Sequence, residues 1–276
     1  MKIVGIVVII LVAILFLAIA VLWILNVVDS SRMNRIRSSL QVSGDSEKVF
    51  SPEMVAGLPD VAQRYLLHAI KPGTPLARRV ELKMSGMLKP KEAGPWMPLQ
   101  ATQILTPGRG FIWKAKAKAA GPIFMNVTDH YANGEGRMRV ALFGLLPMVN
   151  ISNPDIARSG AGRLMGECVW LPTAFLPQNG AVWQEVDSLH AKVTLTVDDL
   201  TATLTLTIDE QGKLKEVVLP RWKDDVKKFV PFGVVIEEER EFGGYAIPSQ
   251  LHGGWWYGSE KYSEFFHFTI EQAMFY

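Results

Sequence analysis

The segment from Ile3 to Leu25 contains no charged side chain, and it constrains the fold more than any other feature. An α-helix rises about 1.5 Å per residue, so this segment would span roughly 35 Å and could cross a bilayer core about 30 Å thick. The rest of the chain alternates apolar and polar residues in short runs, which is typical of a water-soluble β-rich domain. The sequence therefore predicts a transmembrane anchor (1–29), a juxtamembrane linker (30–56) and one soluble β-rich domain (57–276).

The apolar run is long for a cleaved signal peptide. Ala18-Ile19-Ala20 has the small-x-small form of a cleavage site. The apolar run nevertheless continues from Val21 to Leu25, where a signal peptide would turn polar. We therefore expect the segment to be retained as a single-pass membrane anchor.

The charges that flank the segment give conflicting evidence on topology. Arg32, Arg35 and Arg37 follow it and Lys2 precedes it, so the positive-inside rule alone keeps the soluble domain in the cytoplasm. A very short leader before a long apolar run is instead the usual form of an uncleaved signal anchor, which exports the domain that follows. We expect the soluble domain on the extracytoplasmic side, against the positive-inside count.

The overall charge argues against a polyanionic partner. The chain has 29 basic and 27 acidic residues, a net charge of +2, so it lacks the positive field of a nucleic-acid-binding protein. Its single cysteine, Cys168, excludes an intramolecular disulfide and a multi-cysteine metal site. The 8 tryptophans suit either a large β core or a pocket for an apolar ligand.

Hydrophobic periodicity divides the soluble part into two groups of strands, each preceded by a helix. Apolar residues at three- and four-residue spacing over 58–69 predict an amphipathic helix, and five strands follow between Val80 and Phe143. Asn153-Pro154-Asp155 predicts the start of a second helix, because asparagine caps helix N-termini and proline fits the first helical position. About six more strands follow from Val182 to Tyr276.

The connections between the predicted strands indicate how the sheet is built. They are short and contain turn dipeptides such as Pro107-Gly108 and Asn133-Gly134, which favour antiparallel neighbours. A large sheet curls because its strands twist, and its concave face must then be filled. The predicted fold class is α+β, mostly antiparallel β: a curled sheet or half-barrel of about 11 strands, with one helix before it and one in the middle, preceded by a single transmembrane helix.

Two motifs carry a family resemblance. Residues 167–177 read Glu-Cys-Val-Trp-Leu-Pro-Thr-Ala-Phe-Leu-Pro, followed by Val182-Trp183, and residues 242–248 read Phe-Gly-Gly-Tyr-Ala-Ile-Pro. With these motifs the chain resembles a bacterial family of membrane-associated proteins of unknown function, which implies no reaction, cofactor or catalytic residue. In the order of its elements the chain is also similar to the half-barrel lipoprotein carriers and sorting factors of the bacterial envelope. That likeness implies acyl chains held between a curled sheet and helices.

No motif in the sequence indicates a catalytic or metal site. Gly160, Gly162 and Gly166 miss the spacing of a dinucleotide-binding loop and fall within the predicted second helix. The 5 histidines lie in different predicted elements, so local spacing does not gather them into a metal site. We therefore predict no catalytic residue, no bound metal and no cofactor, and we favour a protein that is not an enzyme.

The candidate ligand-binding residues are one acidic and four aromatic side chains. Glu167 lies on the second predicted helix and could meet a buried arginine or the polar head of a ligand, although acids on helices are mostly solvated. Trp255 and Trp256 point to opposite faces of a strand, so one of them faces inward as core or as pocket lining. Trp170 of the first family motif and Phe266 on the aromatic face of the last strand complete the set.

Two non-enzymatic functions lead from the sequence, and an enzyme whose catalytic groups meet only in the fold is the third hypothesis. The leading hypothesis is a membrane-tethered domain whose concave sheet binds a lipid or another hydrophobic small molecule. The alternative is a non-enzymatic envelope scaffold or assembly factor that acts through contacts with an unknown protein partner. The expected partners are therefore the lipid bilayer and a hydrophobic ligand, and no nucleic acid.

Overall fold

The computed structural model describes residues 2–42, 48–90 and 93–276, so residues 43–47 of the predicted linker lie outside the described part. The helices in this part are α1 (Lys2–Ser39), α2 (Asp60–Ala69) and α3 (Pro154–Gly166), and short 3-10 turns follow α3. The strands form one antiparallel sheet. They are β1 (Val80–Leu88), β2 (Met97–Thr106), β3 (Gly110–Ala120), β4 (Ile123–Ala132), β5 (Glu135–Leu142), β6 (Leu146–Ile151), β7 (Val182–Glu185), β8 (His190–Val197), β9 (Leu200–Ile208), β10 (Leu214–Lys223), β11 (Lys228–Phe242), β12 (Tyr245–Trp255) and β13 (Ser263–Phe275).

The predicted fold class is confirmed, but the sheet has 13 strands rather than about 11. The sequence does not predict β6, because Pro147 interrupts its alternation. Proline is tolerated there because β6 is an edge strand that pairs only with β5. The second group has one strand more than expected, and its short first strand, β7, forms the other edge.

The two groups of strands join through β1 and β13. The strand order is β6-β5-β4-β3-β2-β1-β13-β12-β11-β10-β9-β8-β7, so the first and last strands of the chain are neighbours inside the sheet. Strand twist curls such a sheet into a half-barrel. The connection from β6 to β7 carries α3, which contacts strands of both groups on the concave side.

The sequence around α3 explains where this helix begins and how closely it packs. Oδ1 of Asn153 accepts a hydrogen bond from the backbone N–H of Ile156 at 2.9 Å, which confirms the predicted N-cap. Gly160 lies against the Tyr131 ring, where an added Cβ would come within 3.2 Å of the tyrosine side chain. Small residues therefore let α3 lie close to the sheet. Its buried residues are Ala157, Gly160, Ala161, Gly162, Leu164 and Met165.

The helix α1 is long and apolar enough to cross a membrane, with a mean hydropathy of 3.5 over its most apolar window. Residues 3–21 are all exposed, whereas the second half of the helix lies against the convex face of the sheet. Its partly or fully buried residues there are Leu22, Asn26, Asp29, Arg32, Met33 and Ile36, and Leu40 is buried just after the helix. Polar contacts join it to β5. They include Arg32 with Glu135 at 3.0 Å, Asp29 with Arg137, Asp29 with Arg139 at 3.7 Å, and Asn26 with Arg139 at 2.8 Å.

Candidate functional site

A cavity of about 490 Å³ lies between α3 and the concave face of the sheet. Its volume is within the range of about 300–1,000 Å³ that is common for small-molecule sites. The helix α3 therefore does not fill the concavity completely. Most of the lining is apolar and comes from both groups of strands. The aromatic residues in the lining are Trp113, Trp170, Trp222, Phe232, Trp255, Phe265, Phe266 and Phe268.

The aromatic wall of the cavity follows from the period of two in three neighbouring strands. Phe266 and Phe268 are two residues apart on β13, so both face inward, and their rings stack with centroids 4.8 Å apart. Phe232 of β11 meets Trp255 of β12 edge to face, also at 4.8 Å. Such contacts hold the rings in fixed orientations, which gives the cavity a rigid apolar wall.

A network of charged and polar side chains crosses one end of the cavity from α3 to the sheet. Arg163 donates from Nη1 to Asp129 and from Nε to Glu167, each at 2.7 Å. Nε2 of Gln103 donates to the other oxygen of Glu167 at 2.6 Å. Burial by itself lowers the pKa of Arg163, but the carboxylates of Glu167 and Asp129 outweigh it and raise that pKa. The predicted arginine partner of Glu167 is thus found one helical turn earlier.

Arg221 is the second arginine in the lining, and it lacks such partners. Its guanidinium carbon lies 4.4 Å from the ring centroid of Phe232 and 5.1 Å from that of Trp255. Its Nε is buried without a hydrogen-bond partner, and Nη2 reaches only the Ser159 carbonyl, at 3.4 Å. Within the described part of the chain no carboxylate pairs with it. Burial, and then repulsion from Arg163, lower the pKa of Arg221 to about 10.

The arrangement around Arg221 can bind an anion. A guanidinium taken out of water is costly unless a counter-ion compensates it. The nearby carboxylates already pair with Arg163, so they compensate Arg221 only from a distance. An entering carboxylate or phosphate could form charge-assisted hydrogen bonds with the arginine while its apolar part contacts the aromatic wall.

The structure brings four of the five predicted site residues together. Glu167, Trp170, Trp255 and Phe266 all line the cavity. Trp256 lies outside the lining, in the left-handed region with φ 61°, and its ring lies beside the ammonium groups of two lysines. Whether any of the five binds a ligand stays a prediction.

Sequence reasoning did not single out Arg221, although a signal for it exists. In β10, Val217, Leu219 and Arg221 alternate, so they share one face of the strand. All three line the cavity. The signal for Arg221 is thus an arginine that continues the alternation of inward apolar residues along β10. Arg163 is also missed, because its carboxylate partner Asp129 comes from a distant strand.

Cys168 and the acidic and histidine residues offer no second chemistry at this site. The Cys168 thiol is buried and donates to the Leu164 carbonyl at 3.3 Å. Burial, and next the charge of Glu167, raise the pKa of this thiol, which disfavours the thiolate. Among residues 2–42, 48–90 and 93–276, no group of three or more His, Cys, Asp or Glu side chains is placed to hold a metal ion.

Comparison with known protein families identifies the family of this chain. The sequence model of a family of unknown function, DUF6544, matches residues 48–268. The chain belongs to this family. Both motifs that carry the resemblance, at 167–177 and 242–248, lie inside the matched range, so the predicted membership of an uncharacterised family is confirmed. A comparison with curated protein sequences gives no match.

Solved structures similar to this member of DUF6544 have low sequence identity to it. An outer membrane lipoprotein-sorting protein domain from Vibrio parahaemolyticus is 8% identical, with a TM-score of 0.40, over 71% of this chain and 85% of that chain. A LolA superfamily protein from Nitrosomonas europaea is 9% identical, with a TM-score of 0.41, over 78% and 92%. A DUF1329 family protein from Desulfovibrio piger is 10% identical, with a TM-score of 0.35, over 78% and 90%.

Proposed function

We propose that this protein is a single-pass membrane protein that binds a lipid-like molecule with an anionic group in its concave cavity. The observation that carries the proposal is an apolar cavity of about 490 Å³ with the guanidinium of Arg221 in its wall, and no carboxylate among the described residues pairs with this guanidinium. The apolar wall would hold an acyl chain or a similar group. Arg221 would bind the carboxylate or phosphate.

The cavity favours an apolar ligand for a physical reason. Protein interiors are close-packed, and a space of this size that is lined by aliphatic and aromatic side chains is poorly hydrated. Filling it with hydrocarbon restores dispersion contacts along the wall and removes apolar surface from water. The rings of Phe232, Trp255, Phe266 and Phe268 are already packed on one another, so little ordering is required when a ligand enters.

The two arginines of the cavity have different roles in this proposal. Arg163 is satisfied by two carboxylates and holds α3 against β4. Arg221 is the one with free hydrogen-bonding capacity, since its Nε has no hydrogen-bond partner among the residues that the structure describes. An anionic ligand therefore gains more from Arg221 than from Arg163.

Membrane anchoring is supported by the exposure of the apolar half of α1. Residues 3–21 are exposed and uncharged, and burying them in a bilayer would remove a large apolar surface from water. We further propose that the domain lies outside the cytoplasm. A reporter enzyme fused after Tyr276 that is active only in the extracytoplasmic compartment would support this topology, and activity only in the cytoplasm would reject it.

Photocrosslinking of the full-length protein tests the ligand proposal. A fatty acid with a diazirine in its chain would be added to the protein in a nonionic detergent, irradiated, and its adducts located by peptide mass spectrometry. We expect adducts on the peptides that carry Phe232, Trp255 and Phe266. Adducts found only on residues 3–25 would mean that the probe partitions along the anchor and would refute cavity binding.

Two matched variants sharpen the crosslinking experiment. Val127 lines the cavity, so Val127→Trp would fill part of it and should reduce the adducts on the aromatic wall. Val182→Trp is the same change at a residue that is 66% exposed on the edge strand β7, and it should leave those adducts unchanged. Equal adduct yields in both variants would contradict the proposed location of the ligand.

A further inference from the structure

The contacts between α1 and β5 set the direction of the half-barrel relative to the apolar part of α1. Going from Arg32 to Asn26 along α1 corresponds to going from Glu135 to Arg139 along β5. The helix and the strand are therefore antiparallel, and the N-terminal half of α1 extends toward the end of the sheet where β5 ends and β6 begins.

Standard dimensions show how far that end of the sheet reaches. From Arg32 to Asn26 the helix advances by six residues, which is about 9 Å, and from Glu135 to Arg139 the strand advances by four residues, which is about 13 Å. The strand is therefore inclined to the helix, and each residue of β5 advances about 2.2 Å along the axis of α1. Phe143 lies four residues beyond Arg139. Because four residues of β5 correspond to about six residues of α1, Phe143 lies near the level of Ala20, which is inside the apolar run.

The turn that reaches this level is apolar and exposed. Phe143, Leu145, Leu146 and Met148 are 47%, 52%, 47% and 60% exposed, and Ile123 at the neighbouring β3–β4 turn is 40% exposed. Phe143 packs edge to face on Phe124, with ring centroids 5.4 Å apart, which joins the two turns into one surface. We call these five exposed residues the apolar tip. Exposed apolar clusters mark interaction sites, and sheet edges are usually protected by charge instead.

Lysines border the apolar tip on the convex face of the sheet. Nζ of Lys116 lies 4.1 Å from the ring centroid of Phe124, and Lys118 is exposed one strand period closer to the turn. Apolar side chains beside lysines are the arrangement that suits a membrane interface, where the rings enter the lipid and the ammonium groups meet anionic headgroups.

The cavity extends toward the same end of the sheet. Successive pairs across β1 to β5 form one row of the sheet, which is Gly86, Leu99, Ala117, Met125 and Leu142. The row lies near the last residue of both β1 and β5, so these two strands end on the same side of the sheet. Leu88 and Pro90, at the end of β1, line the cavity there, and Pro90 is exposed. On the opposite rim the cavity reaches Asp225, which is also exposed.

We propose that the end of the half-barrel at which β1 and β5 end rests on the bilayer that α1 spans. The apolar tip, which lies at this end, is inserted into the membrane interface. This geometry places the mouth of the cavity at the lipid surface. The proposal rests on the membrane anchoring proposed above, and it is independent of whether the cavity binds a lipid.

Site-directed fluorescence quenching tests this orientation in full-length protein in vesicles of phosphatidylcholine and phosphatidylglycerol. The native Cys168 is buried, so an NBD label would react with an introduced thiol. Leu145→Cys places the label on the apolar tip, Gln211→Cys at the opposite end of the sheet, and Val12→Cys in the apolar part of α1. Spin-labelled lipid should quench the label at residues 145 and 12 several-fold more than at residue 211.

The three labels separate the possible outcomes. Quenching at residue 12 without quenching at residue 145 would refute the docking while leaving the anchor intact. No quenching at residue 12 would refute the anchoring and the docking together. Equal quenching at residues 145 and 211 would refute the orientation. If the label at residue 145 is unquenched and Leu145→Cys crosslinks between copies of the chain, the apolar tip is a protein interface and the proposal falls.

A charged pair of substitutions provides an independent measurement. Leu145→Asp with Leu146→Asp changes only exposed side chains, so the fold should be retained. We expect NBD at Ile123→Cys, on the neighbouring turn, to lose at least half of its quenching in this background. Unchanged quenching in a variant with an unaltered unfolding midpoint would contradict insertion of the apolar tip.

Discussion

Nη1 of Arg163 lies 2.7 Å from Oδ2 of Asp129, so a salt bridge ties α3 to β4 across one end of the cavity. Nε of the same guanidinium lies 2.7 Å from Oε1 of Glu167. One arginine therefore pairs with both Asp129 and Glu167. Arg221, on the neighbouring wall, has no paired carboxylate in the described part of the chain.

Removing the first arginine should destabilise the fold. Arg163→Met would leave Asp129 and Glu167 mostly buried and without their cation, and we expect the free energy of unfolding to fall by about 3 kcal/mol. Urea unfolding followed by tryptophan fluorescence measures the change. Arg158→Met is the matched control on the same helix, where the pair with Asp155 is more exposed, and it should cost about 1 kcal/mol or less.

Removing the second arginine should have the opposite effect on stability. Arg221→Met replaces an uncompensated charge by an apolar side chain of similar length, so we expect the free energy of unfolding to stay equal or rise by about 1 kcal/mol. The dissociation constant for a fluorescent fatty acid should rise about tenfold or more, because a charge-assisted hydrogen bond is lost. Arg240→Met, on the exposed part of β11, is the control. A stability loss with unchanged fatty-acid affinity would assign Arg221 a structural role only.

The stability should depend on pH through His68. Nε2 of His68 lies 2.8 Å from Oε2 of Glu239, and this hydrogen bond raises the pKa of the histidine above 6.5, against the effect of burial. The folded-state pKa then exceeds the unfolded one. The contribution of the protonated His68 to the free energy of unfolding is therefore fully present below about pH 6.5, and it is lost as the pH rises through the folded-state pKa.

The His68→Gln variant isolates that contribution. We expect the wild type to have a higher urea midpoint than His68→Gln, with the largest difference near pH 5.5 and the smallest near pH 8.5. A difference between the two proteins that stays constant over this range would show that protonation of His68 does not stabilise the fold.

Gly233 should not accept a side chain. The Tyr257 ring occupies the place where a Cβ at residue 233 would lie, and the hydroxyl of Tyr257 donates to Glu216. Gly233→Ala would displace the ring and lower the free energy of unfolding by about 1–3 kcal/mol. Gly57→Ala meets nothing within 4 Å and needs no positive φ, so its midpoint should be unchanged or slightly higher. Equal midpoints in the two variants would contradict the packing of Tyr257 on Gly233.

Parts of the fold that depend on local pattern were predictable. The cap at Asn153 and the alternation of β8 and β9 are read from neighbouring residues, because a helix start and a strand face are set by short-range hydrogen bonds and side-chain period. The edge strand β6 was not predictable in this way. Its Leu-Pro-Met-Val-Asn-Ile sequence has no clean alternation, and it is a strand only because β5 offers it a partner.

Four residues in the lining of the candidate site were predictable, one acidic and three aromatic. Trp255 and Phe266 follow from the period of two in β12 and β13, and Glu167 and Trp170 follow from the family motif at 167–177. The pairing of Arg163 with Asp129 and the unpaired state of Arg221 were not predictable, since they depend on residues brought together from α3, β4 and β10.

The sequence by itself determined that the chain has an apolar helix, an antiparallel sheet and a capped helix in its middle. These properties follow from side-chain period and local hydrogen bonding, which act between near neighbours. Only the tertiary structure decided that β1 pairs with β13, that α3 leaves the concavity partly empty, and that α1 lies antiparallel to β5. Those outcomes depend on contacts between residues far apart in the chain, where packing and charge pairing select one arrangement among several that the local pattern allows.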